Sequence, residues 1–344
     1  MVSTTDRQAR IFESRKKICT PAKLDDTMCF YCPQDNLDAL RHPRVKDWLK
    51  FVEESYVPPF PPGSGPGKKQ RRILLLLPCT KTKPYLLSSE HLHINASLLK
   101  AGFRPVSGET LADEFSAHLP EGYSPEVLSI APLRRGNTIV HRAVMSEPLV
   151  FVPYQHVVSY EGKPSPASAY DDPGLFENRG NAVSPWRKDF SGVAVSKKKW
   201  RWGDEERRAY VTMHNEMSGR LAKVIHRLRP YYTDIVAWVA PGLTHRSFVL
   251  ARDQRGANGV AATRRVAAEN MRLQGANDLL APEERIECLP TPEQCTAAKQ
   301  KLAKRLGRRV SAIGGYYSRG GSDATPLALP EMLQFLTARL KKHS

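Results

Sequence analysis

The chain has 344 residues, 52 Lys and Arg against 35 Asp and Glu, a formal net charge of +17 and 41% hydrophobic residues. That length and apolar content exclude a disordered chain and are enough for about two domains. The apolar run at residues 73–77 is five residues and no run in the chain exceeds six, far short of a membrane span of about 20. The charge surplus points to a polyanionic partner.

The first 67 residues read as a small lobe and linker. Arg7, Arg10, Arg15, Lys16 and Lys17 are not followed by an apolar core, so no secretory signal is expected and the chain reads as cytoplasmic. Six cysteines in such a chain argue for metal ligation, catalysis or burial over a disulfide scaffold. Cys19, Cys29, Cys32 and His42 follow a C-x9-C-x2-C-x9-H pattern. Three thiolates and an imidazole can close a structural zinc site, and a lobe with so little core could depend on one. Residues 42–56 space Val45, Trp48, Leu49, Val52 and Tyr56 as a short amphipathic helix. A Pro/Gly run at 58–67 then reads as a linker.

Residues 68–255 form the expected core. The apolar run at 73–77 predicts a strand, followed by a loop and a helix that opens at Ser88 and ends near Gly102. Further apolar runs at 126–130, 149–152 and 234–239, with a charged amphipathic helix over about 204–228, predict an α/β fold: a mostly parallel sheet covered by helices. Residues 160–203 are rich in Pro, Gly, Asp and Asn, and a loop that long is usually functional or disordered. Residues 256–344 read as a basic helical region, with helices over 262–274, 291–306 and about 327–342 and six basic residues between 299 and 309.

Cys79 follows the carboxyl end of the first strand, where open α/β sheets place their ligands. Lys81, Lys83 and the neighbouring helix start favour a thiolate there. With Lys83 and His91 the loop offers a nucleophile, a cation and a proton carrier. Asp171 and Asp172 are candidates to accept from a ligand that presents paired donors. Trp186, Trp200 and Trp202 lie near Lys197, Lys198, Lys199 and Arg201, a mixture suited to stacking on a base and gripping phosphate. Lys304, Arg305, Arg308 and Arg309 extend the expected nucleic-acid surface.

The segment from Pro78 and Cys79 through Lys83, Pro84, Tyr85 and Ser88 to His91 resembles the PC-x3-KPY-x2-S-x2-H motif of the archaeosine synthase family. Weaker similarity extends over about residues 40–245. The resemblance implies chemistry on the nitrile of 7-cyano-7-deazaguanine already installed in a nucleic acid, with Cys79, Lys83, Ser88 and His91 catalytic and Tyr85, Asp171, Asp172 and Trp202 at the substrate. The length leaves no room for that family's transglycosylase-like part, and the C-terminal region carries no clear RNA-binding signature. The core therefore looks more like DpdC-type proteins of bacterial 7-deazaguanine DNA modification systems. That likeness implies hydration of the nitrile in DNA to the carboxamide, without an organic cofactor and in company with other proteins of such a system. Either Cys79 adds to the nitrile as a thiolate, with Lys83 or His91 moving protons, or Cys79 is structural and Lys83 or His91 directs water. The alternatives are amine addition to the same nitrile in tRNA and a non-catalytic nucleic-acid-binding subunit.

Overall fold

A computed structural model describes the chain except residues 1–5, 62, 64–68, 112, 178–179, 197–198, 321–323 and 343–344. Its centre is a seven-stranded sheet built from β1 (Arg71–Pro78), β2 (Arg104–Pro105), β3 (Leu133–Arg135), β4 (Thr138–Ser146), β5 (Val150–Pro153), β6 (Asp234–Trp238) and β7 (Glu287–Leu289). The spatial order is β7-β6-β1-β4-β3-β2, with β5 also paired to β4. The β7, β6, β1 and β4 strands run parallel, while β3 and β5 pair antiparallel with β4 and β2 pairs antiparallel with β3. The expected α/β class with a mostly parallel sheet is therefore present. Leu74, Leu75, Leu76 and Leu77 are all buried, as a strand covered on both faces requires.

The helices are α1 (Arg7–Arg15), α2 (Pro33–Ala39), α3 (Pro43–Lys50), α4 (Ser89–Lys100), α5 (Asp204–Leu228), α6 (Thr244–Val249), α7 (Pro292–Arg305) and α8 (Pro330–Lys341), besides shorter turns. The α5 helix packs on α2, α6 and β5, and α8 packs on both α4 and α7. One connected apolar core runs from Met28 to Leu340, so side chains of the N-terminal, central and C-terminal segments share it. No helix is long and apolar enough to cross a membrane among the described residues.

Three local expectations change. The segment 262–274 is a β-hairpin, Thr263–Val266 against Glu269–Arg272, because Ala267 takes a left-handed φ of 52° that turns the chain back. Residues 126–130 fall largely in a 3-10 turn, Pro125–Leu128. The nine-residue β4, by contrast, gave no strand signal. Its Arg142 is buried and donates to Asn95 Oδ1 (2.9 Å), Ser129 O (2.8 Å) and Ala131 O (2.7 Å), so a cation stands where an apolar residue is expected.

The four proposed zinc ligands are not gathered. Cys32 caps α2, its sulfur accepting from the Asp35 amide at 3.4 Å; Cys29 is buried beside Tyr31; His42 Nε2 lies 3.1 Å from Thr27 Oγ1. Among the described residues these four form no group with ligand atoms close enough to share an ion. The lobe is instead held by its neighbours. The Cys19 amide donates to Lys83 O (2.7 Å), the Lys83 amide to Lys17 O (2.9 Å) and the Phe30 amide to Asp171 O (2.9 Å), so the N-terminal segment lies along the two loops of interest.

Candidate active site

Three neighbouring parallel strands each deliver one reactive side chain just beyond a carboxyl end. Cys79 follows β1, Glu147 follows β4, and His245 lies in the first turn of α6 after β6. The register pairs Pro78 with Met145, and the Cys79 amide donates to Met145 O at 2.9 Å, which sets Cys79 beside the turn that carries Glu147. Cys79 Sγ donates to Glu147 Oε2 at 3.8 Å, and His245 Nε2 lies 3.2 Å from the same oxygen. Both ring nitrogens of His245 lack an aligned hydrogen bond, although the ring is only 5% exposed. The three ligand atoms lie within 4.8 Å of one another, and among the described residues this is the one such group able to hold a metal ion.

Charge in the trio is polarised. Burial disfavours a charged imidazole, but Glu147 and Cys79 outweigh it and hold His245 well above its ordinary pKa. Burial likewise works to raise Glu147, yet the facing His245 keeps its carboxyl below the usual value. An imidazolium and a carboxylate thus flank the thiol.

These groups line a cavity of about 350 Å³, the size of one small ligand. Its wall also holds Ser88 and Glu90 at the start of α4, Asp172, Phe176, Leu243 and Thr325. Two buried carboxylate oxygens of that wall, Glu90 Oε1 and Asp172 Oδ2, have no hydrogen-bond partner. Burial, with Glu147 nearby, pushes Asp172 up to about 8, and burial also raises Glu90. The unpaired oxygens offer acceptors to a ligand rich in donors, and binding of such a ligand would draw these raised carboxyls toward their ionised form.

The other motif residues support Cys79 from beneath. His91 Nε2 donates to Pro78 O (2.9 Å) and its Nδ1 accepts from Tyr154 Oη (2.7 Å), which ties α4 to the residue before the cysteine. Burial holds His91 down to about 4, so the ring stays neutral. Lys83 is fully buried, donates to Thr80 O at 2.6 Å and lies 4.5 Å from the Tyr170 ring; burial lowers its pKa. Neither Lys83 nor His91 lines the cavity. Ser88 caps α4 through its oxygen, which accepts from the His91 amide at 3.3 Å. Tyr85 Oη meets Tyr170 Oη (2.9 Å) and donates to Ser146 Oγ (3.2 Å), while Asp171 is turned away to Ser14 (2.6 Å) and Lys17.

Trp202 is a core residue, its indole N–H donating to Ala182 O at 2.8 Å. Lys199 and Arg201 are exposed on a hairpin, Val193–Ser196 with Lys199–Arg201; Lys197 and Lys198 lie outside the described residues. Lys304, Arg308 and Arg309 are exposed, and Arg305 is exposed while paired with Glu331. Glu147, His245 and Glu90 were missed by the motif because they come from other strands or fall between its fixed positions. A positional signal was available only for His245, a titratable residue soon after the strand expected at 234–239, on the ligand side of an α/β sheet; Glu147 had none, since the strand before it gave no signal. Compared with known proteins, the chain matches no family model, no curated protein and no solved structure.

Proposed function

We propose that the protein hydrates a nitrile on a modified base, converting 7-cyano-7-deazaguanine in DNA to the carboxamide, as one component of a DNA modification system. The observation that carries this reading is the Cys79 thiol in a small cavity against the carboxylate of Glu147 and the imidazolium of His245. The motif's resemblance supplies the nitrile. The cavity's orphaned acceptors, Glu90 and Asp172, suit the N1–H and 2-amino donors of a guanine-like edge.

Glu147 takes the proton from Sγ as sulfur bonds to the nitrile carbon, and His245 gives a proton to the nitrile nitrogen, forming a thioimidate. The proton on Glu147 passes back across the 3.2 Å contact to His245. Water then adds to the same carbon, losing one proton to Glu147 while the nitrogen gains one and becomes NH2. The carbon–sulfur bond breaks, the thiol regains its proton, and the oxygen stays as the amide carbonyl. One water is added, with no change of oxidation state.

The test is Cys79→Ala and Cys79→Ser against the wild-type chain on cyano-modified DNA, with intact-protein mass for the adduct. The account expects product formation to fall at least about a thousandfold in both variants and an adduct of the base on wild type only. Wild-type turnover by Cys79→Ala would remove the thioimidate route.

A further inference from the structure

The cavity opens beside two larger grooves, and Phe176 and Leu243 form part of the wall of all three. One groove, of about 700 Å³, carries Lys199, Arg201 and Arg264 and, among the described residues, one carboxylate, Glu177, which pairs with Arg264; Trp200 also lines it. The other, of about 550 Å³, carries Arg246 and Lys299 and, among the described residues, no carboxylate. Arg246 is 1% exposed and is held by neutral oxygens: Val239 O (2.7 Å), Pro290 O (2.8 Å) and Asn258 Oδ1 (2.6 Å). Its Nε has no partner. A buried guanidinium without a counter-ion costs free energy unless an anion arrives to meet it. Lys299 stands at the same groove with its ammonium 4.9 Å from the Tyr317 ring centroid. Both grooves are therefore cationic, and the cavity that adjoins them holds three carboxyls, Glu90, Glu147 and Asp172, beside Lys81 and His245; aromatic rings line both grooves, Trp200 and Tyr210 in one, Tyr317 in the other and Phe176 in each.

We infer that the substrate is a single polynucleotide strand laid across this face, one base turned into the Cys79 cavity and the phosphodiesters on either side of it seated in the two basic grooves. This rests on the nitrile reading for what the cavity does, but its physical basis is separate. Phosphates need the cations of the grooves, and the neighbouring bases need a stacking face, which Trp200 and Tyr317 supply. A cavity of about 350 Å³ takes a base and not a base pair, so a duplex must first give up that base. Single-stranded substrate avoids this cost.

The experiment uses a labelled, unmodified oligothymidine and a hairpin duplex of similar length, followed by fluorescence anisotropy over a salt series. The strand is expected to bind at least about tenfold more tightly than the duplex. Arg201→Glu and Lys299→Glu, both at exposed positions, should each weaken strand binding by about tenfold and flatten the salt dependence by about 0.7 in log–log slope or more. Lys46→Glu, the same charge change on α3 and away from the grooves, should behave as wild type. Duplex binding as tight as strand binding, or unchanged affinity and slope in both groove variants, would overturn the inference. Because the probe carries no nitrile, strand binding that fails in the groove variants stands even if no nitrile is ever converted. Conversion of modified DNA at the wild-type rate by both groove variants would leave the chemistry and remove the track.

Discussion

Cys79 meets a carboxylate and an imidazole because its neighbours come from other strands. The motif supplies the thiol and its scaffold, while Glu147 and His245 supply the charges. Removing either charge should slow hydration by roughly 10²- to 10⁴-fold, the usual worth of a positioned acid or base, so Glu147→Gln and His245→Asn are expected to keep substrate binding measurable while single-turnover rates drop. Glu90→Gln acts differently: one oxygen accepts the Thr325 amide at 3.0 Å and the other faces the cavity, so the amide side chain should weaken binding of the cyano base and raise KM more than it lowers kcat. The same trio could take up a metal, which gives a direct discriminator. With thiol chemistry, exhaustive chelation leaves hydration intact; loss of activity together with one equivalent of zinc would turn Cys79, Glu147 and His245 into ligands. Of these side chains only Cys79 was legible in the sequence, as the residue after an apolar strand; elsewhere in the cavity wall Ser88 was legible as a helix cap and Asp172 as a carboxylate in a turn. Glu147 and His245 carry no local pattern, and only the sheet order makes them neighbours.

At the scale of elements, β1 and α4 form the frame that aims the thiol. Leu75 is fully buried at the middle of β1, and Leu75→Ala should cost roughly 2–5 kcal/mol of stability by chemical denaturation. Ser88→Ala removes the α4 cap and should cost about 1 kcal/mol, a loss that Ser88→Asp largely restores. Activity that follows folded fraction in both variants assigns Ser88 to positioning; activity lost in fully folded Ser88→Asp assigns its hydroxyl to the reaction. The uniform apolar runs of β1 and β6 and the periodic helices α5, α7 and α8 were readable from sequence. The central β4 was not, since His141 and Arg142 interrupt its apolar pattern and are buried by specific hydrogen bonds that only the fold provides. The hairpin read as a helix failed for the opposite reason: its sequence has fair helix propensity, and a single left-handed residue, Ala267, decides against it.

For the whole molecule, the +17 surplus divides into two uses. Arg10, Arg142 and Arg255 are buried and donate mainly to carbonyl oxygens, so part of the charge holds the fold together and is withheld from any partner. The exposed remainder includes Lys199, Arg201, Lys299, Lys304, Arg308 and Arg309. Folding also sets an acid limit. Burial lowers His91 to about 4 and His141 and His214 to about 3, so below about 6.5 the unfolded chain binds protons that the folded chain refuses. Each of the three removes roughly 1 kcal/mol of stability per pH unit as pH falls from 6.5 to 4, and the raised Asp172 and Glu90 oppose only part of this. Denaturation midpoints should therefore drop steeply over that window, and a flat profile would mean these rings are not held neutral. The central claim is tested most directly by incubating the protein with DNA and, separately, tRNA carrying 7-cyano-7-deazaguanine, with and without free lysine, and weighing the released nucleosides. The account predicts a gain of one water on the DNA base without any amine; a lysine-dependent adduct on tRNA, or an unchanged nitrile on both, would contradict it.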